Sequence, residues 1–161
     1  DAPGLSRSRR HVMDSRGYAD LVFSDTPLGT DAVIGVIGNG RALLNQVLDL
    51  CTAAAAAEAL GVALQAFDTT LEYLKVRTQF GQVIGTFQAL QHRAAKMFTD
   101  IQLARPCVDE ALHALDEGSD DAAMLVSLAK SATNDLVHAT SREMIQMHGG
   151  IGMTDAHDAG F

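Results

Sequence analysis

From Gly40 onward the apolar residues fall at helical spacing, and before it they do not. Leu43, Val47, Leu50, Ala54 and Ala57 mark one stripe, continued with a slight shift by Leu60, Leu64, Phe67, Leu71 and Leu74. Steps of three and four residues place such side chains on one face of an α-helix. The alanine run Ala53 to Ala57 favours that state and lets a neighbour approach closely. The pattern predicts a first helix from about Gly40 to about Arg77, roughly 55 Å long at 1.5 Å per residue.

A second, cleaner stripe runs through Phe87, Leu90, Ala94, Met97, Ile101, Ala104, Val108, Ala111 and Leu115. Thr86 is its expected N-cap after Gly85. Pro106 should kink this helix without ending it, because the stripe resumes in phase beyond. Glu117-Gly118-Ser119-Asp120 then reads as a stop and a start, with Gly118 as the C-terminal cap and Ser119 capping the next helix. The third helix carries Ala122, Leu125, Ala129, Ala132, Leu136 and Ala139, after which the positions in step turn polar at Glu143 and Gln146. Gly149 and Gly150 terminate it.

The first residues follow another rule. Tyr18 to Phe23 and Val33-Ile34-Gly35-Val36-Ile37 are short and rich in strand formers, with turns at Asp14-Ser15-Arg16-Gly17 and around Pro27 and Gly29. This is too little strand to fold alone, so it should be the tail of a sheet or a strap across the bundle. The fold class expected is mainly α, an up-down helical bundle with a short N-terminal β segment. Residues 1–38 form the end of a β domain or a β lead-in, and 39–161 the bundle. Three helices joined by short connections leave an apolar groove. The fourth helix that would cover it is expected beyond Phe161 or from another subunit.

Charge and composition narrow the function. A net charge of −8 and a pI near 5.0 argue against a nucleic-acid partner, which needs a basic face. The one basic run, Arg7 to His11, reads as a solvated terminal or edge-strand cluster. Two cysteines, Cys51 and Cys107, make a disulfide framework improbable and suggest a reducing compartment, hence the cytoplasm. No stretch is expected to be apolar for long enough to cross a bilayer. The chain starts at Asp1 and stops at Phe161 soon after a glycine-rich motif, which reads as an excerpt of a longer polypeptide or a processed product. The six histidines lack the paired spacing of a zinc site, and neither a nucleophile elbow nor a phosphate loop occurs. Any chemistry must therefore come from a bound organic cofactor.

Two motifs suit one. In Arg77-Thr78-Gln79-Phe80-Gly81 the guanidinium is a permanent cationic fork suited to a phosphate, Thr78 and Gln79 add hydrogen-bonding groups, and Phe80 offers an aromatic face. The competing reading is a plain helix end, with Arg77 answering the helix dipole, Gly81 as cap and Phe80 plugging the core. Gln146-Met147-His148-Gly149-Gly150-Ile151-Gly152 carries adjacent glycines whose bare backbone amides can approach a phosphate or ribose. His148 reads as a surface or capping histidine rather than a base. Glu143 reads as either half of an ion pair with an arginine elsewhere or a catalytic carboxylate.

Tyr73-Leu-Lys-Val-Arg77-Thr-Gln-Phe80-Gly81-Gln-Val-Ile84-Gly-Thr-Phe87-Gln88, followed by Ala129-Lys130 and the Gln146 to Gly152 segment, resembles the C-terminal domain of acyl-CoA dehydrogenases. The resemblance spans roughly residues 18–161 and includes the Asp31 to Gly40 loop. It implies FAD bound across a subunit interface. Arg77, Thr78 and Gln79, with Phe87 and Gln88 nearby, would meet its pyrophosphate–adenosine half, and Gln146, Gly149 and Gly150 of the partner subunit would meet the same half. It further implies a homo-oligomer (dimer or tetramer), an electron-transfer partner, and α,β-dehydrogenation of an acyl-CoA thioester. In many members the catalytic glutamate lies downstream of the Gly-Gly segment, past Phe161. Its alternative site on the first bundle helix falls near Cys51, where there is no glutamate. Thr52 stands where many members carry arginine, and Ala156 replaces the glutamate that commonly follows the glycine segment. No catalytic base is assigned, and this piece alone is expected to be inactive. The alternatives are a non-catalytic partner subunit, a flavin-dependent monooxygenase or oxidase on the same scaffold, or a non-enzymatic oligomerisation module.

Overall fold

The computed structural model describes residues 2–12 and 16–160; Asp14 and Ser15 of the expected turn lie outside them. The chain divides into two compact units, the first closing at Leu44 and the second starting at Asn45. In the first, β1 (Leu5–Arg10) and β2 (Tyr18–Phe23) pair antiparallel, with Leu5 opposite Phe23 and Arg10 opposite Tyr18. Arg7, Arg9 and Arg10 lie exposed along β1, and Arg10 Nε donates to Asp20 Oδ2 at 2.6 Å. The strand expected at Val33–Ile37 is absent. A short 3-10 turn at Thr30–Ala32 precedes it, and Gly35 and Gly38 take φ of 78° and 89°, which breaks an extended run.

The second unit is built from α1 (Gly40–Val76, whose first turn belongs to the first unit), α2 (Gln88–Glu117) and α3 (Ala122–His148). Tyr73 near the end of α1 touches His148 at the end of α3. Arg93 near the start of α2 instead pairs with Glu143 near the end of α3. Helices α1 and α3 therefore run parallel, with α2 antiparallel to both, as an up-down bundle requires. The Arg93–Glu143 pair is a two-pronged one, Nε to Oε2 at 2.6 Å and Nη2 to Oε1 at 3.1 Å. Glu143 is thus one half of an ion pair, and a half-exposed one.

The core draws small residues from every helix: Ala53, Ala56 and Ala63 of α1, Ala104, Ala111 and Ala114 of α2, Ala129 of α3. Leu60, Phe67, Leu74, Met97, Ile101, Val108, Val126 and Leu136 fill the space between. In α2 the buried residues follow the expected stripe, with Phe87, Leu90 and Ala94 packed at its edge. Two stripes are displaced from expectation. The α1 stripe runs through Ala53, Ala56, Leu60, Ala63, Phe67, Thr70 and Leu74, leaving Leu43, Val47, Leu50 and Ala54 exposed. The first half of α1 is apolar nearly all round, so no polar face sets its phase. In α3 the core face includes Val126, Thr133, Thr140, Met144 and Met147 and does not turn polar at its end. The Thr70 and Thr133 hydroxyls donate to the carbonyls of Ala66 and Ala129, four residues back, at 2.7 and 2.9 Å. Satisfied in this way, they can face the core.

The same apolarity makes α1 long and apolar enough, by length and composition, to cross a membrane, with a window of mean hydropathy 1.7. The expectation that no stretch would be is corrected on that count. Both expected N-caps also move. Residues 84–86 form a 3-10 turn in which Thr86 Oγ1 donates to Val83 O at 2.7 Å, so α2 begins one residue later, after Phe87. Ser119 Oγ accepts the Asp121 amide at 3.3 Å, and Asp121 precedes the first residue of α3. Gly118 caps α2 with φ 64° and ψ 36°, as expected of a glycine there.

The corrected phase of α1 is testable by urea unfolding. Ala56→Leu should destabilise by about 1–3 kcal/mol through overpacking, whereas Ala54→Leu should stay within about 0.5 kcal/mol. Equal effects would contradict the burial described.

Candidate functional site

Helix α1 ends where its sequence changes from straight-chain and apolar residues to Arg77-Thr78. The last helical bond runs from the Arg77 amide to Tyr73 O at 2.9 Å, and Arg77 O then accepts the Ile84 amide at 2.8 Å. Between these bonds the chain folds into a tight hairpin of β3 (Thr78–Gln79) and β4 (Gln82–Val83), Thr78 opposite Val83 and Gln79 opposite Gln82. Its two turn residues, Phe80 and Gly81, both have positive φ, 55° and 78°. Such turns match the twist of the flanking strands and favour glycine or asparagine at both places. The motif is therefore a reverse turn projecting from a helix end. Phe80 does not plug the core: it is 88% exposed, with its ring edge-on to Phe87 at 6.1 Å.

Helix α3 ends with Gly149 at φ 63°, ψ −138°, and the chain passes into a 3-10 turn over Gly149–Met153. The three glycines have three different reasons. Gly149 needs the backbone freedom of its positive φ. Gly152 is buried, and a Cβ there would lie 2.8 Å from Ile145 O. Gly150 has neither a positive φ nor any atom within 4 Å of a Cβ position. Among the described residues nothing demands glycine at 150, so its bare backbone faces open space.

These two helix ends meet. Arg77, Gln79, Phe80, Phe87, Gln146, Gly149 and Gly150 line one cleft of about 400 Å³, together with Tyr73, Ile84, Leu90, Met147 and His148. Of the residues expected at the site, Thr78 and Gln88 are not in its wall: Thr78 faces Val83 across the hairpin, and Gln88 opens α2 as an exposed residue. The convergence occurs within one chain, so no second copy is needed to bring the segments together. Among the described residues no carboxylate pairs with Arg77.

Sequence reasoning missed five members of the wall, the apolar Ile84, Leu90 and Met147 and two that carry polar groups, Tyr73 and His148. Tyr73 donates its hydroxyl to His148 O at 3.3 Å, and the two rings lie 4.3 Å apart. His148 is not at the surface: it is 3% exposed, with Nδ1 2.7 Å from Met144 O and its ring 4.0 Å from that of His157. Its Nε2 is buried without a hydrogen-bond partner among the described residues. Burial pushes the imidazole below its usual value of 6.5; the bond to Met144 opposes this and the proximity of His157 adds to it. The apolar stripe carried on through Met144 and Met147 was the available signal that His148 sits at a packed helix end.

Comparison with known proteins agrees with this architecture. The family described as acyl-CoA dehydrogenase, C-terminal domain, matches residues 38–160. Acyl-CoA dehydrogenase IpdE2 of Mycobacterium tuberculosis is 38% identical over 112 residues, 70% of this chain and 33% of that protein. Cyclohex-1-ene-1-carbonyl-CoA dehydrogenase of Geobacter metallireducens is 31% identical over 153 residues, 93% of this chain and 40% of that protein. Among solved structures, butyryl-CoA dehydrogenase from Megasphaera elsdenii superposes with a TM-score of 0.93 at 28% identity, over 99% of this chain and 42% of that one. The chain thus spans well under half the length of these relatives. On the match of sequence and fold together, it belongs to the acyl-CoA dehydrogenase family, within that family's C-terminal domain.

Proposed function

We propose that the cleft holds the pyrophosphate–adenosine half of FAD, and that the whole protein removes hydrogen from Cα and Cβ of an acyl-CoA thioester. The observation that carries this reading is the convergence of the arginine hairpin and the glycine turn on one cleft. The donor set fits such a ligand. An exposed guanidinium without a carboxylate partner among the described residues is available for a phosphate. A glycine that neither strain nor crowding explains leaves room for close approach of a ligand. FAD, when bound, supplies the hydride acceptor.

The chain's own residues bind and orient. Arg77 takes phosphate oxygens, the amides of Gly149 and Gly150 approach the same group, and Gln79 and Gln146 hydrogen-bond to phosphate or ribose. Thr78 and Gln88, outside the wall, would reach only the ligand's outer edge. Phe80 and Phe87 flank the cleft as an aromatic pair. A bulky residue held at positive φ costs of order 1–3 kcal/mol, and here it secures no core packing. The cost is explained if Phe80 presents its ring to a planar ligand.

The proposal extends to a homo-oligomer in which FAD is shared across a subunit interface, and to residues 1–38 as the end of a β domain preceding the bundle at 39–161. The exposed Leu44, Leu48 and Leu50 of α1 support a covering partner. It also includes reoxidation by an electron-transfer partner and residence in the cytoplasm. A second reading, a non-catalytic subunit that binds FAD without turning over substrate, is favoured by Thr52 and Ala156 at positions where many members carry charged groups. Anaerobic addition of acyl-CoA separates the two: bleaching of the flavin absorbance supports dehydrogenation, and an unchanged spectrum supports the silent subunit.

Arg77→Ala in the full-length protein should remove a charge-assisted contact of about 1.5–3 kcal/mol, weakening FAD about 10- to 150-fold while circular dichroism stays unchanged. Undiminished flavin absorbance per subunit after dialysis would contradict the site. Phe80→Gly should hold or raise the melting temperature while weakening FAD. A loss of stability with FAD retained would instead make Phe80 a structural residue.

A further inference from the structure

We infer that His148 is a positioning residue for the cofactor cleft: its neutral imidazole pins the Gly149–Gly150 backbone in the ligand-competent arrangement, and the protonated ring cannot. The inference rests on the reading of this cleft as the FAD site. Its basis is the hydrogen-bonding of one ring. The Met144 carbonyl, 2.7 Å from Nδ1, can only accept, so Nδ1 carries the proton. In the neutral ring Nε2 is then a lone pair, and it is buried without a partner among the described residues. Protonation would create an N–H and a charge there with nothing to receive either.

The surroundings offer no compensation. From α1, Tyr73 faces the ring at 4.3 Å, and Arg77 lines the same cleft. From the segment after α3, His157 stacks on it at 4.0 Å, its own Nδ1 accepting the Ala159 amide at 3.0 Å. Phe87, just ahead of α2, and Leu90 of α2 line the cleft, while Arg93 engages Glu143. Among the described residues no carboxylate contacts the ring. A proton at Nε2 therefore drives the imidazole out of its place between Tyr73 and His157. His148 directly precedes Gly149, and its carbonyl is the one that Tyr73 holds, so leaving that place frees the glycine turn as well. FAD then binds only the fraction of molecules with the ring neutral and seated.

Linkage fixes the sign. The imidazole of an unfolded or released segment titrates near 6.5, and the seated one lower. Stability of the seated form is full above about 6.5, declines as pH falls from there to the lowered value, and is constant below it.

The test is an FAD titration of the full-length protein by flavin fluorescence from about pH 8 to about pH 5, with far-UV circular dichroism at each point. The unmodified protein should bind with constant affinity above about 6.5, then lose up to about tenfold per pH unit, the slope of a single proton. His148→Phe, which keeps a ring in the stack and cannot titrate, should show a flat profile; His148→Gln should do the same if the phenylalanine variant folds poorly. His157→Phe should keep the slope. A flat profile in the unmodified protein, or the same slope in both His148 variants, overturns the inference. Arg77→Ala separates this from the parent reading. If it leaves FAD affinity unchanged at every pH, the cofactor assignment itself is wrong and the inference falls with it. If it weakens binding evenly across pH, the assignment stands and the His148 profiles decide the inference alone.

Discussion

The site depends on the contact between Tyr73 and His148. One hydroxyl-to-carbonyl bond and one pair of facing rings join the last turn of α1 to the last turn of α3. Each of these helices hands over to a motif within a few residues: α1 to the Arg77 hairpin, α3 to the glycine turn. Because α1 and α3 run parallel, their C-terminal ends lie at the same end of the bundle. Fixing that one contact therefore places a cation and a stretch of bare backbone beside each other, although Arg77 and Gly149 lie 72 positions apart in sequence. The partial negative charge at two helix C-termini would repel an anion. Arg77 supplies the compensating charge there.

The bundle supports this junction through close approach and polar satisfaction. Alanine at the helix contacts keeps the backbones near one another, and close-packed interiors transmit displacement rather than absorbing it. Buried threonines fit the same narrow space because their hydroxyls return to the helix backbone. The Arg93–Glu143 fork spans α2 and α3 just before Gln146, the first α3 residue in the cleft wall. Exposed pairs of this kind contribute modestly to stability, about 1 kcal/mol or less, but a two-pronged geometry restricts how α3 can rotate against α2.

The chain's helices could be read from spacing alone, since the boundaries of α1 and the continuity of α2 through Pro106 follow from apolar period, Gly40 and Gly118. Phase was harder. The alanine-rich half of α1 offers no polar face, and Thr133 and Thr140 look polar in sequence although their side chains sit in the core, so both stripes shift by a residue. The site motifs were legible as residue types suited to an anion, and Arg77, Gln79, Gln146, Gly149 and Gly150 do gather. Their meeting within one chain follows from the parallel run of α1 and α3 in the expected up-down bundle, whereas the family resemblance had assigned the glycine segment to a partner subunit. Phe80 illustrates the limit of local pattern. Its exposure follows from a turn with two positive φ values, and glycine follows it in sequence as it would at a helix cap. His148 was misplaced for a comparable reason: a histidine beside two glycines reads as surface, and only packing against Tyr73 and His157 buries it.

The most direct test of the central claim is a structure of the flavin-loaded protein. The account predicts the diphosphate between the Arg77 guanidinium and the Gly149–Gly150 amides of one and the same chain. Density for the diphosphate away from either segment, or gripped by Arg77 of one subunit and the glycines of another, would contradict it.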